Sequence, residues 1–290
     1  MSELHAHLES GTTTVCHCWL LTRRDGAALG FTDHDLDLAF EGQTFRADSG
    51  MGAKALSQST GLSVDNTEAM GALSSDAITE ADIAAGRFDG ASVTAWRVNW
   101  ADISQREVVF RGEIGDLKRA GGAFSADLRS LASQLNRPLG RIYQKPCAAV
   151  LGDADCGFDI TNPGYSVECT LIGASDGTLR FAALPGFEDA WFSRGALTVL
   201  SGTAQGLAGS IKRDKARLDT REITLWTELR APLQPGDQVR LVAGCDKRFE
   251  TCRLKFLNHL NFRGFPDLPG DDWSIRLPSG EEALDGGSRR

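Results

Sequence analysis

Four cysteines in two distant pairs, Cys147 with Cys156 and Cys245 with Cys252, are the residues whose type and spacing point most directly to chemistry. The first pair is spaced C-x8-C and the second C-x6-C. Thiolates are soft donors, and a set of four serves both zinc ions and iron–sulfur clusters. Structural zinc prefers knuckles with roughly two to four intervening residues. Wider gaps fit loops wrapped around a larger object, so the spacing favours a cluster, with zinc as the alternative. Both pairs sit among glycines and acidic residues, in Leu151-Gly152-Asp153-Ala154-Asp155-Cys156-Gly157 and Gly244-Cys245-Asp246. These read as exposed turns, where an idle thiol would be an oxidation liability. Four unligated thiols or two loop disulfides would need no metal, and local sequence supports that plainer reading as well.

The other candidates are weaker. Cys169, inside Val167–Ile172, and Cys16 and Cys18, two apart in a strand-like run, read as small buried hydrophobes. Phe31-Thr32-Asp33-His34-Asp35-Leu36-Asp37 gathers carboxylates around a histidine. It could form a divalent-metal or acid–base site, but Asp favours turns, and the segment reads as a polar turn between two strands. Lys212-Arg213-Asp214-Lys215-Ala216-Arg217 is the one dense basic run. It could line a DNA path, and it reads more simply as a solvated hairpin tip with Asp214 and Asp219 offsetting part of its charge. No G-x-S-x-G nucleophile elbow occurs.

Composition narrows the class. A chain of 290 residues with 41% apolar residues can bury a real core, and its length predicts two domains. A net charge of −8 argues against sequence-independent nucleic-acid binding, which needs clustered cations. No apolar run is long enough for a membrane span. Residues 1–11 lack an apolar segment, so no signal peptide is expected and the chain is expected to be made in the cytoplasm. Seven cysteines, an odd number, in a reducing compartment do not predict a disulfide framework.

The elements that must position the thiols are predicted to be mainly β. Two β-barrel or sandwich-like domains with a few short helices are expected. Strand-like runs flank Asp25-Gly26, Glu41-Gly42 and Asp176-Gly177, each a hairpin signal, and residues 118–122 form a further candidate. Val93–Trp100 alternates, with Trp96, Val98 and Trp100 on one face. Thr79-Glu80-Ala81-Asp82 resembles a capping box opening a helix to Ala85. Helices are also predicted over Leu128–Leu135 and Arg248–Leu260; the second places Cys252 on a helix and Cys245 on the turn entering it. Prolines and glycines near residues 136–146 set the expected boundaries: an N-terminal β domain over 1–140, a cysteine-bearing β domain over 141–275 and a mobile tail over 276–290.

The stretch from Pro235-Gly236-Asp237 through Gly244-Cys245 and Cys252 to Asn258-x2-Asn261-Phe262-x-Gly264-Phe265-Pro266-x2-Pro269-Gly270 resembles a family of phage and gene transfer agent tail proteins. Its halves are a domain of unknown function and a phage-conserved C-terminal domain. Cys18-Trp19, Asp25-Gly26 and Gly30-Phe31-Thr32-Asp33-His34-Asp35 resemble the opening of the same family. Together the likeness spans roughly residues 12–270, and order and length are most similar to the baseplate hub of gene transfer agents.

The resemblance implies a non-enzymatic structural hub between the distal tail protein ring and the central tip or fibre protein. It implies a virion tail baseplate location, assembly in the bacterial cytoplasm and a homotrimer adapting a six-fold tail to a three-fold tip. DNA would pass through the tail without specific binding. Related minor tail-tip proteins carry a [4Fe–4S] cluster on four C-terminal cysteines, and the matching positions here are Cys147, Cys156, Cys245 and Cys252. The two pairs are far apart in sequence, so a β domain must fold between them and the centre would be a long-range staple. Two other classes compete: a metal-dependent cell-wall hydrolase using Asp33, His34 and Asp35, and an iron–sulfur redox protein.

Overall fold

The computed structural model describes residues 3–47, 51–52, 66–72, 78–120, 123–130, 140, 142–175 and 177–268. The chain divides into two compact units, Met1–Pro138 and Leu139–Arg290. The stretch 276–290, expected to be a mobile tail, lies outside the described residues.

The first unit opens with helix α1 (Glu3–Glu9) and the antiparallel pair β1 (Val15–Thr22) and β2 (Ala28–Thr32). Next come β3 (Leu38–Phe40), β4 (Gln43–Arg46), β5 (Met51–Gly52) and β6 (Asn66–Ala72). Helix α2 (Glu80–Ala84) precedes the long strands β7 (Ser92–Asn99), β8 (Arg106–Ala120) and β9 (Ala123–Ser130). The strands make one nine-stranded sheet in the order β3-β4-β2-β1-β7-β8-β9-β6-β5.

Period-two alternation decides which residues meet on each face. Trp19, Leu21, Phe31, Val93 and Ala95 pack on one face, while Cys16, Cys18, Phe45, Trp96 and Val98 pack on the other. Cys16 and Cys18 are therefore core residues, as their spacing predicts, and the Phe40, Phe45 and Trp96 rings pack mutually beside them. Trp100 lies just past the end of β7, half-exposed against the His34 ring, and does not share the buried face of Trp96 and Val98.

Local turn chemistry explains two connections. Glu41 and Gly42 both have positive φ, 53° and 74°, the primed-turn geometry that joins β3 to β4. The Thr79 hydroxyl accepts the Asp82 N–H at 3.1 Å and caps α2, as the sequence predicts. The helix expected over Leu128–Leu135 is not found where the structure describes it. Leu128–Ser130 belong to β9, paired to β8 and β6, because cross-strand partners on both sides outweigh the local apolar spacing. Residues 131–135 lie outside the described residues.

The second unit contains β10 (Ser166–Ser175), β11 (Thr178–Ala182), β12 (Ala196–Val199), β13 (Ala208–Ala216), β14 (Thr220–Leu225) and β15 (Gln238–Val242). They close a barrel in the order β10-β11-β14-β13-β12-β15, with β15 returning to β10. Closure removes free strand edges. Leu171, Phe181, Leu197, Ile211, Ile223 and Leu241 fill the barrel. The basic run holds a surprise. Lys212–Ala216 lie within β13, and Asp214 is not a solvated counter-charge but a buried partner of Arg221 at 2.6 Å.

After β15 comes helix α3 (Phe249–Leu254) and then a single 3₁₀ turn at His259–Asn261. The helix predicted over Arg248–Leu260 is thus cut short, with Leu257 at a positive φ of 51°. Leu254, Leu257 and Leu260 are all exposed, so their near-helical spacing does not mark a buried face.

Candidate metal centre

The four cysteines expected to form one site, Cys147, Cys156, Cys245 and Cys252, all line one cavity in the second unit. The space they enclose is small, about 20 Å³, and it opens to solvent. Three stretches of chain outside the barrel ladder build it.

The first stretch carries Cys147 and Cys156. Asp153 makes the turn that holds Cys156: its carboxylate accepts the Val150 and Cys156 N–H groups, both at 2.7 Å. Those backbone donors, Cys156 first, hold the Asp153 carboxyl below its ordinary range. Cys147 N–H donates to the Lys247 carbonyl at 2.9 Å, which ties the first cysteine to the second stretch.

The second stretch carries Cys245 on the turn after β15 and Cys252 on α3, as predicted. Lys247 has a positive φ of 67°, and the Asp246 carboxylate accepts the Arg248 N–H at 3.0 Å where the helix begins. Gly244 is there because nothing larger fits. An added Cβ would lie 1.6 Å from the Ser193 carbonyl oxygen. Gly264 plays the same part beside Cys147, where a Cβ would come within 2.5 Å of the Lys145 carbonyl oxygen. Gly244→Ala is expected to cost about 1–3 kcal/mol or more, on the scale of overpacking a tight site, and to displace Cys245. Thermal unfolding with a thiol-accessibility assay checks this; an unchanged melting point with unchanged Cys245 reactivity would refute it.

The third stretch supplies donors and spacers that the residue types alone do not announce. The Asn258 side-chain N–H donates to the Cys156 carbonyl at 2.7 Å and lies 3.5 Å from its sulfur. Asn261 donates to the Asn258 side-chain oxygen at 2.8 Å and fixes its orientation. The Arg263 backbone N–H points to the Cys147 sulfur at 3.3 Å. The Cys252 thiol donates to the Asn258 carbonyl at 3.3 Å. The segment after Asn261 bonds back to the first stretch through the Ala148 N–H, which donates to the Arg263 carbonyl at 3.3 Å, and through the Phe265 N–H, which reaches the Gln144 carbonyl at 2.9 Å. Asn258-x2-Asn261 was visible as a motif, but its amide roles follow only from the fold.

Electrostatics show how closely the thiols share this space. Cys252 is pushed up to about 11, first by burial and then by Cys245, Cys147 and Cys156. Burial also raises Cys245, against the pull of the Lys247 N–H and ammonium. A bound cation would reverse both effects, since metal binding displaces thiol protons.

Among the described residues, no three His, Cys, Asp or Glu side chains are placed to hold a single metal ion. A tetrahedral zinc at about 2.3 Å from each sulfur needs sulfurs about 3.8 Å apart. Four cysteines line one shared cavity, with N–H groups near two of the sulfurs, a donor set that either a zinc ion or an iron–sulfur cluster can take.

The remaining thiols and the acidic turn have other duties. Cys169 packs against the barrel core, and burial pushes its thiol up to about 12. Asp33 accepts the His17 backbone N–H at 2.6 Å and faces its ring nitrogen at 2.9 Å. Burial works to raise the Asp33 carboxyl, but those His17 bonds outweigh it and hold the group below its ordinary range. His34 Nδ1 accepts the Leu36 N–H, and Asp37 accepts the Ala47 N–H. Asp33, His34 and Asp37 thus bond to different partners, Asp33 reaching back to β1, His34 to the adjacent turn and Asp37 to the residue after β4.

Known proteins resemble the whole chain. A family model described as baseplate hub protein, N-terminal attachment domain, matches residues 1–159. A second, described as phage conserved hypothetical protein BR0599, matches residues 190–272. The first match contains Cys147 and Cys156, and the second contains Cys245 and Cys252. A solved structure described as the virion of a native gene transfer agent (GTA) particle contains a similar chain at 55% identity. That likeness covers 99% of each chain, with a TM-score of 0.90. No protein of curated function matches.

Proposed function

Because this chain belongs to the baseplate hub protein family, with a relative inside a gene transfer agent virion, we propose that it joins the distal tail ring to the central tip or fibre protein, stapled by a [4Fe–4S] cluster on Cys147, Cys156, Cys245 and Cys252. The observation that carries the staple is the meeting of two cysteine pairs around one cavity, with all of residues 157–244 between them. That interval includes the six strands of the barrel. A centre bonded to both segments would cross-link the unfolded chain and turn metal-binding free energy into folding free energy. The role is structural, since four protein thiolates leave no open ligand position for substrate. Assembly as a homotrimer in the bacterial cytoplasm completes the proposal, following the family resemblance. Among the described residues, no helix is long and apolar enough to cross a membrane.

Protein purified without air is expected to be brown and to hold about four irons and four sulfides per chain, as a four-cysteine cluster requires. Visible absorbance with iron, sulfide and zinc analysis reads this directly. One zinc and no colour would keep the staple and change the metal. No metal at all would end the staple proposal.

A further inference from the structure

Lys255 is a half-buried ammonium whose contacts are all neutral. Its Nζ donates to the Trp191 carbonyl at 2.7 Å and to the Gly244 carbonyl at 3.0 Å. It lies 4.2 Å from the centroid of the Trp191 ring and 5.4 Å from that of Phe256. Cys245 first, then Asp246, Asp214 and Glu188, act on it from beyond hydrogen-bond and ion-pair distance. A cation removed from water without an anion at hand is costly, and proteins rarely keep one without a reason.

Its surroundings supply that reason. Phe256, on which the ammonium rests, also lines the cavity bounded by the four cysteines. Gly244, whose carbonyl it holds, is the residue before Cys245. The other cations nearby are engaged differently. Arg248 stands 3.8 Å from Asp246, and Arg263 stands 3.9 Å from Asp155. Lys247 donates to the Ala149 carbonyl and shares its field with Asp153. Lys247 lines the cavity and acts directly on the Cys245 thiol, whereas Lys255 stands behind the wall with neutral partners and holds the backbone at Gly244. Four thiolates around a doubly charged core leave a net negative centre, and reduction by one electron adds to that charge. Nearby positive charge and hydrogen bonding are among the factors that set the potential of such a centre.

We infer that Lys255 is the fixed counter-charge of the thiolate centre and the anchor of the backbone bearing Cys245, and that it sets the potential of a bound cluster. The inference rests on the cluster reading given above. Lys255 touches no thiol, so it acts as a positioning residue. Desolvation strengthens its effect, because a charge under a ring is screened far less than one at an open rim.

The test uses full-length wild type, Lys255→Met and Lys255→Arg, loaded with iron and sulfide under anaerobic conditions. Bound iron and the midpoint potential are measured by optical redox titration. Lys255→Met is expected to show a more negative potential than wild type, while Lys255→Arg keeps the wild-type value. Iron lost from Lys255→Met but retained by Lys255→Arg would also support the inference, since charge rather than shape would then be needed. Equal potentials in wild type and Lys255→Met would overturn it while leaving the cluster in place. Iron lost equally from both variants would overturn it too, by reducing Lys255 to a packing role. Wild type that takes up no cluster would remove the parent reading, an outcome readable before any variant is compared.

Discussion

Arg221→Ala and Asp214→Ala are each expected to destabilise the C-terminal barrel by about 3–5 kcal/mol, the usual cost of stranding one member of a buried ion pair. The side chains are 1% and 0% exposed. Arg221 grips Asp214 with a two-pronged fork, Nε to Oδ1 at 2.7 Å and Nη2 to Oδ2 at 2.6 Å. Its remaining donors reach the Phe187 and Glu188 carbonyls, and Asp214 also accepts the Phe192 N–H at 2.8 Å. The pair therefore fastens the loop over 187–192 to strands β13 and β14. Remove one partner and the other keeps its desolvation cost without its compensation. Arg221→Lys should also lose stability, because an ammonium cannot reproduce the planar fork. The double change Asp214→Leu with Arg221→Met should cost less than either alanine variant, since no charge is left stranded. Thermal unfolding reads this as a fall of about 6–20 °C for the single alanine variants, at roughly 2–4 °C per kcal/mol for a domain of this size. A single variant melting within a degree of wild type would sink the argument.

That pair also marks a boundary of what sequence reveals. Asp214 sits in a run of Lys and Arg, which locally reads as a solvated tip. Its burial depends on the β13–β14 register and on the 187–192 loop arriving from elsewhere, and neither leaves a local trace. Glu41-Gly42 was legible because a primed turn demands positive φ at both residues, a purely local requirement. The α2 cap was legible for the same reason. Arg248–Leu260 was read too long because Phe249, Leu254, Phe256, Leu257 and Leu260 come close to helical spacing, whereas Phe256 is buried and Leu254, Leu257 and Leu260 all point to water. The four cysteines could be singled out because thiol chemistry depends on residue type. The roles of Asn258, Arg263 and Lys255 could not, even though Asn258-x2-Asn261 stands out as a motif, since side-chain amides, backbone N–H groups and cations gain such roles only through the partners that folding brings to them.

Cys156→Ser and Cys252→Ser are each expected to abolish bound iron and sulfide and to loosen residues 142–165 and 244–268, while Cys169→Ser keeps the metal. The barrel strands hold one another through a closed ladder, whereas the cysteine-bearing stretches are fixed by turns, side-chain bonds and the proposed centre. Loss of the centre should therefore be felt first outside the ladder. Hydrogen exchange should show those two stretches losing protection while β10 to β15 keep most of theirs. Global stability should also fall. In the chain-entropy account, cross-linking a loop of nearly a hundred residues is worth about 4–5 kcal/mol, and structural metal sites can exceed that. The pH dependence has a definite sign. The Cys252 thiol, raised to about 11, must give up its proton to bind a cation, so loading should strengthen as pH rises from neutrality. A chelator should reproduce the exchange pattern of the serine variants in the wild-type chain. Iron retained by Cys252→Ser, or iron lost from Cys169→Ser, would show that a different set of cysteines holds the metal.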